Sequence, residues 1–206
     1  MKIFNLFFCF AFFVLLTIKG NAQPQNNTND LAAWQKQINE EYSNKATSPL
    51  SAVDIVNFHG FEFFTEQPKL KVIATLVLST EKKEVALKTS SSFLLKQIEY
   101  GKINFSIDRK NYSLTLYQSP THLKEKGLED YLFLPFTDES NGVETYGGGR
   151  YIDLKIPTEG NTIVVDFNKA YNPYCAYAKG FSCPKVPEQN NLPIQILGGI
   201  KYSSKH

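Results

Sequence analysis

Apolar residues first fall into a regular rhythm at Leu31, Trp34, Ile38 and Tyr42, spaced by three and four among Gln, Lys, Asn and Glu. That spacing predicts one amphipathic helix whose single apolar stripe docks on a core, with Asp30 as its N-cap. Ser48-Pro49-Leu50-Ser51 ends it, and a short further turn of helix is expected over Ala52 to Phe58, before the aromatic segment Phe61, Phe63, Phe64. The period then changes to near two. Strands are predicted at Lys71 to Leu78, Glu84 to Thr89, Phe93 to Ile98, Ile103 to Ile107, Tyr112 to Tyr117 and Tyr131 to Pro135, with hairpin turns at Glu81 to Lys83, Tyr100 to Lys102 and Asp108 to Asn111. The predicted fold is mainly β: an antiparallel meander forming a barrel or a two-sheet sandwich, with one N-terminal amphipathic helix packed on it.

The start of the chain follows a different rule. Lys2 precedes an apolar run from Phe4 to Ile18, broken only by Asn5 and Thr17, and small residues Gly20 and Ala22 stand before Gln23. This is the pattern of a signal peptide over residues 1–22; left uncleaved, the same run would be an N-terminal anchor. A flexible Asn-rich leader, 23–29, and a single β-rich domain, 30–206, follow. The expected location is outside the cytoplasm, periplasmic or secreted, with no stable membrane span after cleavage.

With 42% hydrophobic and 20% charged residues in 206, the chain has material for one core. Its 22 basic and 20 acidic residues give a formal charge of +2; cleavage would remove Lys2 and Lys19, leaving the mature chain neutral. That balance argues against a nucleic-acid partner. No phosphate loop, dinucleotide fingerprint or Gly-x-Ser-x-Gly elbow is present, so the sequence identifies no cofactor and leaves open whether the protein is an enzyme.

Cleavage would also remove Cys9, leaving Cys175 and Cys183, with seven residues between them, in an oxidising setting. A disulfide between them is the favoured reading, ahead of a free thiol pair or a redox-active one. Of the histidines, His59, His122 and His206, none is paired at metal-ligand spacing, and no metal site is predicted.

The distinctive chemistry lies in the last third: Thr145-Tyr146-Gly147-Gly148-Gly149-Arg150-Tyr151, then Asp166-Phe167-Asn168, then Asn172-Pro173-Tyr174-Cys175-Ala176, then Cys183-Pro184. This succession of segments resembles the domain-of-unknown-function family 1684. The resemblance implies a shared fold and a shared site and brings no reaction with it.

Placed without the family, Asn141-Gly142 signals a tight turn pairing Tyr131–Phe136 with Glu144–Tyr146. A five-residue loop, Pro157 to Asn161, would pair Tyr151–Ile156 with Thr162–Phe167, setting Leu154 opposite Val164, Ile152 opposite Asp166 and Arg150 opposite Asn168. In that register Arg150, Asp166 and Asn168 share one face beside three glycines. Two readings follow. In the first, the amides of Gly147, Gly148 and Gly149 cradle a small anionic ligand that Arg150 clamps, Asp166 and Asn168 orient, and Tyr146 or Tyr171 contacts. In the second, the glycines form a bulge, Arg150 and Asp166 form a buried structural ion pair, Asn168 and Asn172-Pro173 cap turns, and the domain is a disulfide-stapled structural or interaction module of the cell envelope. Asp138, Asp153 and Asp166 supply carboxylates for a hydrolytic variant of the first reading, but Asp153 falls on the face opposite Asp166. If the signal reading holds, intact-mass analysis of the exported protein will find Gln23 as its first residue; a mass that retains residues 1–22 would establish an anchor instead.

Overall fold

The computed structural model describes residues 28–202. The expected signal segment 1–22, most of the leader and His206 lie outside these residues. The helix α1 spans Thr28–Ser43, so Thr28 and Asn29, assigned to the leader, are its first residues, and Asp30 lies inside its first turn rather than capping it. The Asp30 carboxylate instead meets Lys169 at 2.7 Å. Leu31, Ile38 and Tyr42 are buried as the stripe requires, and Trp34 is half-buried. The short helix α2, Ala52–Asn57, is capped by Ser51, whose hydroxyl accepts from the Asp54 amide.

Eight strands follow: β1 Lys71–Leu78, β2 Glu84–Lys88, β3 Leu94–Ile107, β4 Lys110–Gln118, β5 Tyr131–Asp138, β6 Arg150–Lys155, β7 Thr162–Asp166 and β8 Asn191–Leu192. The main path runs β6-β5-β4-β3-β1-β7, antiparallel throughout and nearly closed into a barrel, with β2 beside β3 and β8 added in parallel to β5. Of the two predicted architectures, the barrel is the one formed. Its interior holds Val72, Ala74, Leu76, Ile103, Phe105, Leu114, Leu116, Leu132, Leu134, Phe136, Ile152, Ile163, Val165 and Phe167.

Three local expectations fail, each for a physical reason. Phe93–Ile98 and Ile103–Ile107 are not two strands with a turn at Tyr100–Lys102 but one strand, β3, with a register shift between Glu99 and Gly101. A bulge keeps the strand going, and Gly101 permits the close approach: a Cβ there would stand 2.5 Å from the Val77 carbonyl oxygen. Second, β5 does not pair with Glu144–Tyr146. Asn141 and Thr145 bridge to each other in a local turn, and Phe136 pairs with Arg150.

Third, β6 and β7 are not a hairpin: β6 pairs with β5, and β7 pairs with β1, with Lys71 opposite Asp166. The loop between them is anchored elsewhere at both ends, the Ile156 amide donating to the Asp130 carbonyl at 2.7 Å and the Leu76 amide to the Asn161 carbonyl at 2.7 Å. The hairpin register would also have put Ile152 and Leu154 on one face and Ile163 and Val165 on the other. In the barrel both sets turn inward. Arg150 therefore faces the interior with Ile152, whereas Asp166 does not share its face.

Outside the barrel, Leu87, Tyr117, Phe133 and Tyr151 form a second apolar cluster, and α1 packs Ile38 and Tyr42 with Phe58, Phe61, Phe63 and Ile200 in a third. Cys175 and Cys183 form a disulfide with Cα atoms 6.3 Å apart. It closes the loop that meets the end of β2, where Ser90 donates its amide to the Cys183 carbonyl and accepts the Cys183 amide on its hydroxyl. Replacing both cysteines by serine is expected to cost about 2–3 kcal/mol by loop entropy, read by urea denaturation; an unchanged midpoint would show that the Ser90 contacts hold the loop without the bond.

Candidate functional site

The guanidinium of Arg150 is 0% exposed. Nη2 donates to Asp138 Oδ2 at 2.7 Å and to the Ile196 carbonyl at 2.7 Å, and Nη1 donates to the Gly198 carbonyl at 2.6 Å. Its Cζ lies 5.2 Å from the Phe136 ring centre. The other oxygen of Asp138 accepts the Ser140 amide, the Ser140 hydroxyl and the Ile196 amide. Burial lowers the proton affinity of Arg150 and Asp138 opposes that; from so high a starting value the guanidinium remains a cation. Charge and donors are thus directed at the chain's own C-terminal segment.

Asp166 and Asn168 serve the same segment from the other side. Asp166 Oδ1 accepts the Asn168 amide and the Asn168 Nδ2, fixing a tight turn after β7. Asn168 in turn accepts the Gln67 amide at 2.9 Å and donates to the Gln67 carbonyl at 3.0 Å, and Gln67 Nε2 reaches the Leu197 carbonyl at 2.6 Å. Arg150, Asp166 and Asn168 therefore do belong to one assembly, but they meet through residues 196–198 and Gln67 rather than across a shared sheet face.

The three glycines divide. Gly149 is buried at φ +89° where a side chain would meet the Phe136 carbonyl and Val186, and its amide donates to Tyr146. Gly147 and Gly148 are exposed, and the Tyr146 ring lies against Gly148 and edge-on to Tyr202 at 5.2 Å. Tyr146 thus stands apart from Tyr171, the last of the residues singled out in the sequence.

Tyr171 belongs to a different place. Between α1 and the outer side of β6 lies a cleft of ≈ 340 Å³ lined by Trp34, Glu41, Asp153, Lys169, Tyr171 and Tyr174, among others. At its base Asp153 Oδ1 accepts two hydroxyls, from Tyr131 and Tyr171, each at 2.6 Å. The Tyr174 hydroxyl donates to Glu41 at 3.0 Å. Burial, then the Asp153 charge, raises both Tyr131 and Tyr171 well above the ordinary tyrosine range, and Tyr174 is pushed up to about 12 by burial and then Glu41. All three stay protonated at neutral pH and act as donors. Asp138, Asp153 and Asp166 occupy three separate environments, buried, in the cleft and in the turn, so they make no acid and base pair.

The family model described as "Protein of unknown function (DUF1684)" matches residues 56–201. The chain belongs to this family. Its fold is also that of an uncharacterised protein of Haloarcula marismortui solved by solution NMR, with a TM-score of 0.67 and 29% identity over 86% of this chain and 95% of that one. No curated protein matches the chain. The DUF1684 match spans every segment of the C-terminal clamp but begins after α1, so Trp34 and Glu41 lie outside it. Among the described residues no group of three His, Cys, Asp or Glu side chains is placed to hold a metal ion, and no helix is long and apolar enough to cross a membrane.

Sequence reasoning passed over Trp34, Glu41, Tyr131 and Tyr174 as site residues. Only the β5–β6 register, which sets Phe133 opposite Asp153, brings Tyr131 to Asp153. Arg150→Met should cost about 3–5 kcal/mol by leaving the Asp138 charge buried without a partner, whereas Arg150→Met combined with Asp138→Leu should cost less than either single change. Chemical denaturation of the four proteins decides it; additive losses would refute a mutually dependent buried pair.

Proposed function

We propose that this protein is an exported binding module whose small-molecule site is the cleft between α1 and β6, while the Gly147–Arg150 and Asp166–Asn168 segments hold the barrel and its C-terminal segment together. The observation that carries this reading is the contrast between the two charged centres. Arg150 is enclosed and its two terminal nitrogens are engaged by Asp138 and two carbonyls. Asp153 opens on a cleft, and its Oδ2 takes no hydrogen bond from the described residues, both tyrosines being directed at Oδ1. A cleft of that size, with aromatic walls and a few convergent polar groups, has the form of a small-ligand site.

Export is supported by the apolar N-terminal run before Gln23 and by the disulfide, which persists in oxidising compartments. An anionic ligand at the three glycines is the weaker alternative: the cation that would bind it is already enclosed. The test is a thermal-shift screen of the mature chain against small carboxylates, phosphates, sugars, amines and flavins, with Asp153→Asn and Gly148→Ala alongside. Stabilisation of the parent and of Gly148→Ala, lost in Asp153→Asn, is the expected result, since only ligands of the folded state raise the melting temperature. A ligand lost in Gly148→Ala and kept in Asp153→Asn would return the site to the glycines.

A further inference from the structure

We infer that the ligand of this cleft is a small organic cation with N–H donors, an alkylguanidinium or alkylammonium; the inference rests on the cleft being the binding site and adds the chemistry of its occupant. The charges of the lining decide the sign. Lys169 is the one cation among the residues that form it, and its ammonium is held by Asp30 at 2.7 Å. The carboxylates Asp153 and Glu41 form no ion pair among the described residues. The cleft therefore presents two carboxylates without an ion-pair partner, Asp153 accepting two tyrosine hydroxyls on one oxygen and Glu41 one, each with its second oxygen free of donors from the described residues.

The walls suit the same guest. Trp34, Tyr42, Tyr171 and Tyr174 line the cleft, and an aromatic face attracts a cation through its ring quadrupole, most strongly for Trp. Because Tyr131, Tyr171 and Tyr174 keep their protons, they hold the carboxylates in place without adding charge of their own. An anion would meet Asp153 and Glu41 with no free cation to offset them, and a neutral guest would leave both charges partly desolvated and unmatched. A guanidinium, planar and weakly hydrated, satisfies a free carboxylate oxygen and stacks on an aromatic ring together.

The chain's only tryptophan, Trp34, reports occupancy directly. Titration with n-butylguanidinium at low salt, followed by Trp34 fluorescence and calorimetry, is expected to give saturable binding. The neutral isostere N-butylurea and the anion butyrate should give none. Asp153→Asn and Glu41→Gln, with unchanged melting in the absence of ligand, should each weaken butylguanidinium about tenfold, as loss of a charge-assisted bond predicts. Equal binding of N-butylurea, or of methyl glucoside, that is lost in Asp153→Asn would overturn the cationic ligand and keep the cleft as the site. Butylguanidinium binding that neither variant weakens would overturn both, as would no change of Trp34 signal with any of these compounds.

Discussion

The fold depends on a cation placed where water cannot reach it. Arg150 sits at the first position of β6, inside the barrel, and moving a charge into that interior is costly unless the charge is paired and hydrogen-bonded. Asp138 and the carbonyls of Ile196 and Gly198 meet the two terminal nitrogens, while Nε is buried with no hydrogen-bond partner among the described residues. Those carbonyls come from a segment that is not a strand of the main sheet and has little regular pairing of its own. The buried cation thus gives residues 196–198 a reason to cross the barrel in one conformation, and the segment in turn makes the buried cation tolerable.

Other elements take their positions from that arrangement. Once residues 196–198 are fixed, the Gly199 carbonyl accepts the Phe64 amide, the Ile200 amide donates to Ala170 and the Lys201 amide to Glu62, drawing the aromatic segment 58–64 onto the same end. Ile200 then completes the cluster on which Ile38 and Tyr42 of α1 rest. The helix is held by burial of its stripe and by Lys169–Asp30 and Tyr174–Glu41 at its rim. The cleft is the space left where the helix leans on the turn after β7 while β6 keeps its outer polar side chain, Asp153, uncovered.

Local pattern made much of this legible. The helical stripe, the strands β1, β2 and β4, and the mainly β class follow from periodicity and turn residues, because each is decided by which faces must be buried. The disulfide follows from there being two cysteines left after Ala22. What could not be read was partnership between strands distant in sequence. The choice of β5 for β6 and of β1 for β7 depends on closing a curved sheet so that Ile152, Leu154, Ile163 and Val165 all face inward, a condition on the whole barrel that no local window contains. The bulge at Gly101 was misread for a related reason: a glycine between two apolar runs looks alike in a turn and in a continuous strand until the neighbouring strand's backbone is known. The candidate site suffered most, since Asp153, Tyr131 and the pair Trp34 and Glu41 come from three separate elements, β6, β5 and α1, and none stands in a motif.

The Gly-Gly-Gly-Arg and Asp-Phe-Asn segments do have the chemistry their residues suggest, applied within the chain. A guanidinium recognises oxygen acceptors in its plane, and in this barrel the acceptors are one carboxylate and two main-chain carbonyls. An Asp and an Asn two residues apart orient a backbone, and here that backbone is Gln67, whose amide side chain secures the carbonyl between the two that Arg150 holds. Recognition of one's own peptide and recognition of a ligand use the same donors, so residue types alone do not separate them; burial does. With Arg150 engaged internally and Lys169 held by Asp30, the α1–β6 cleft is left with carboxylates and rings facing solvent, a charge opposite to the one the arginine by itself suggests.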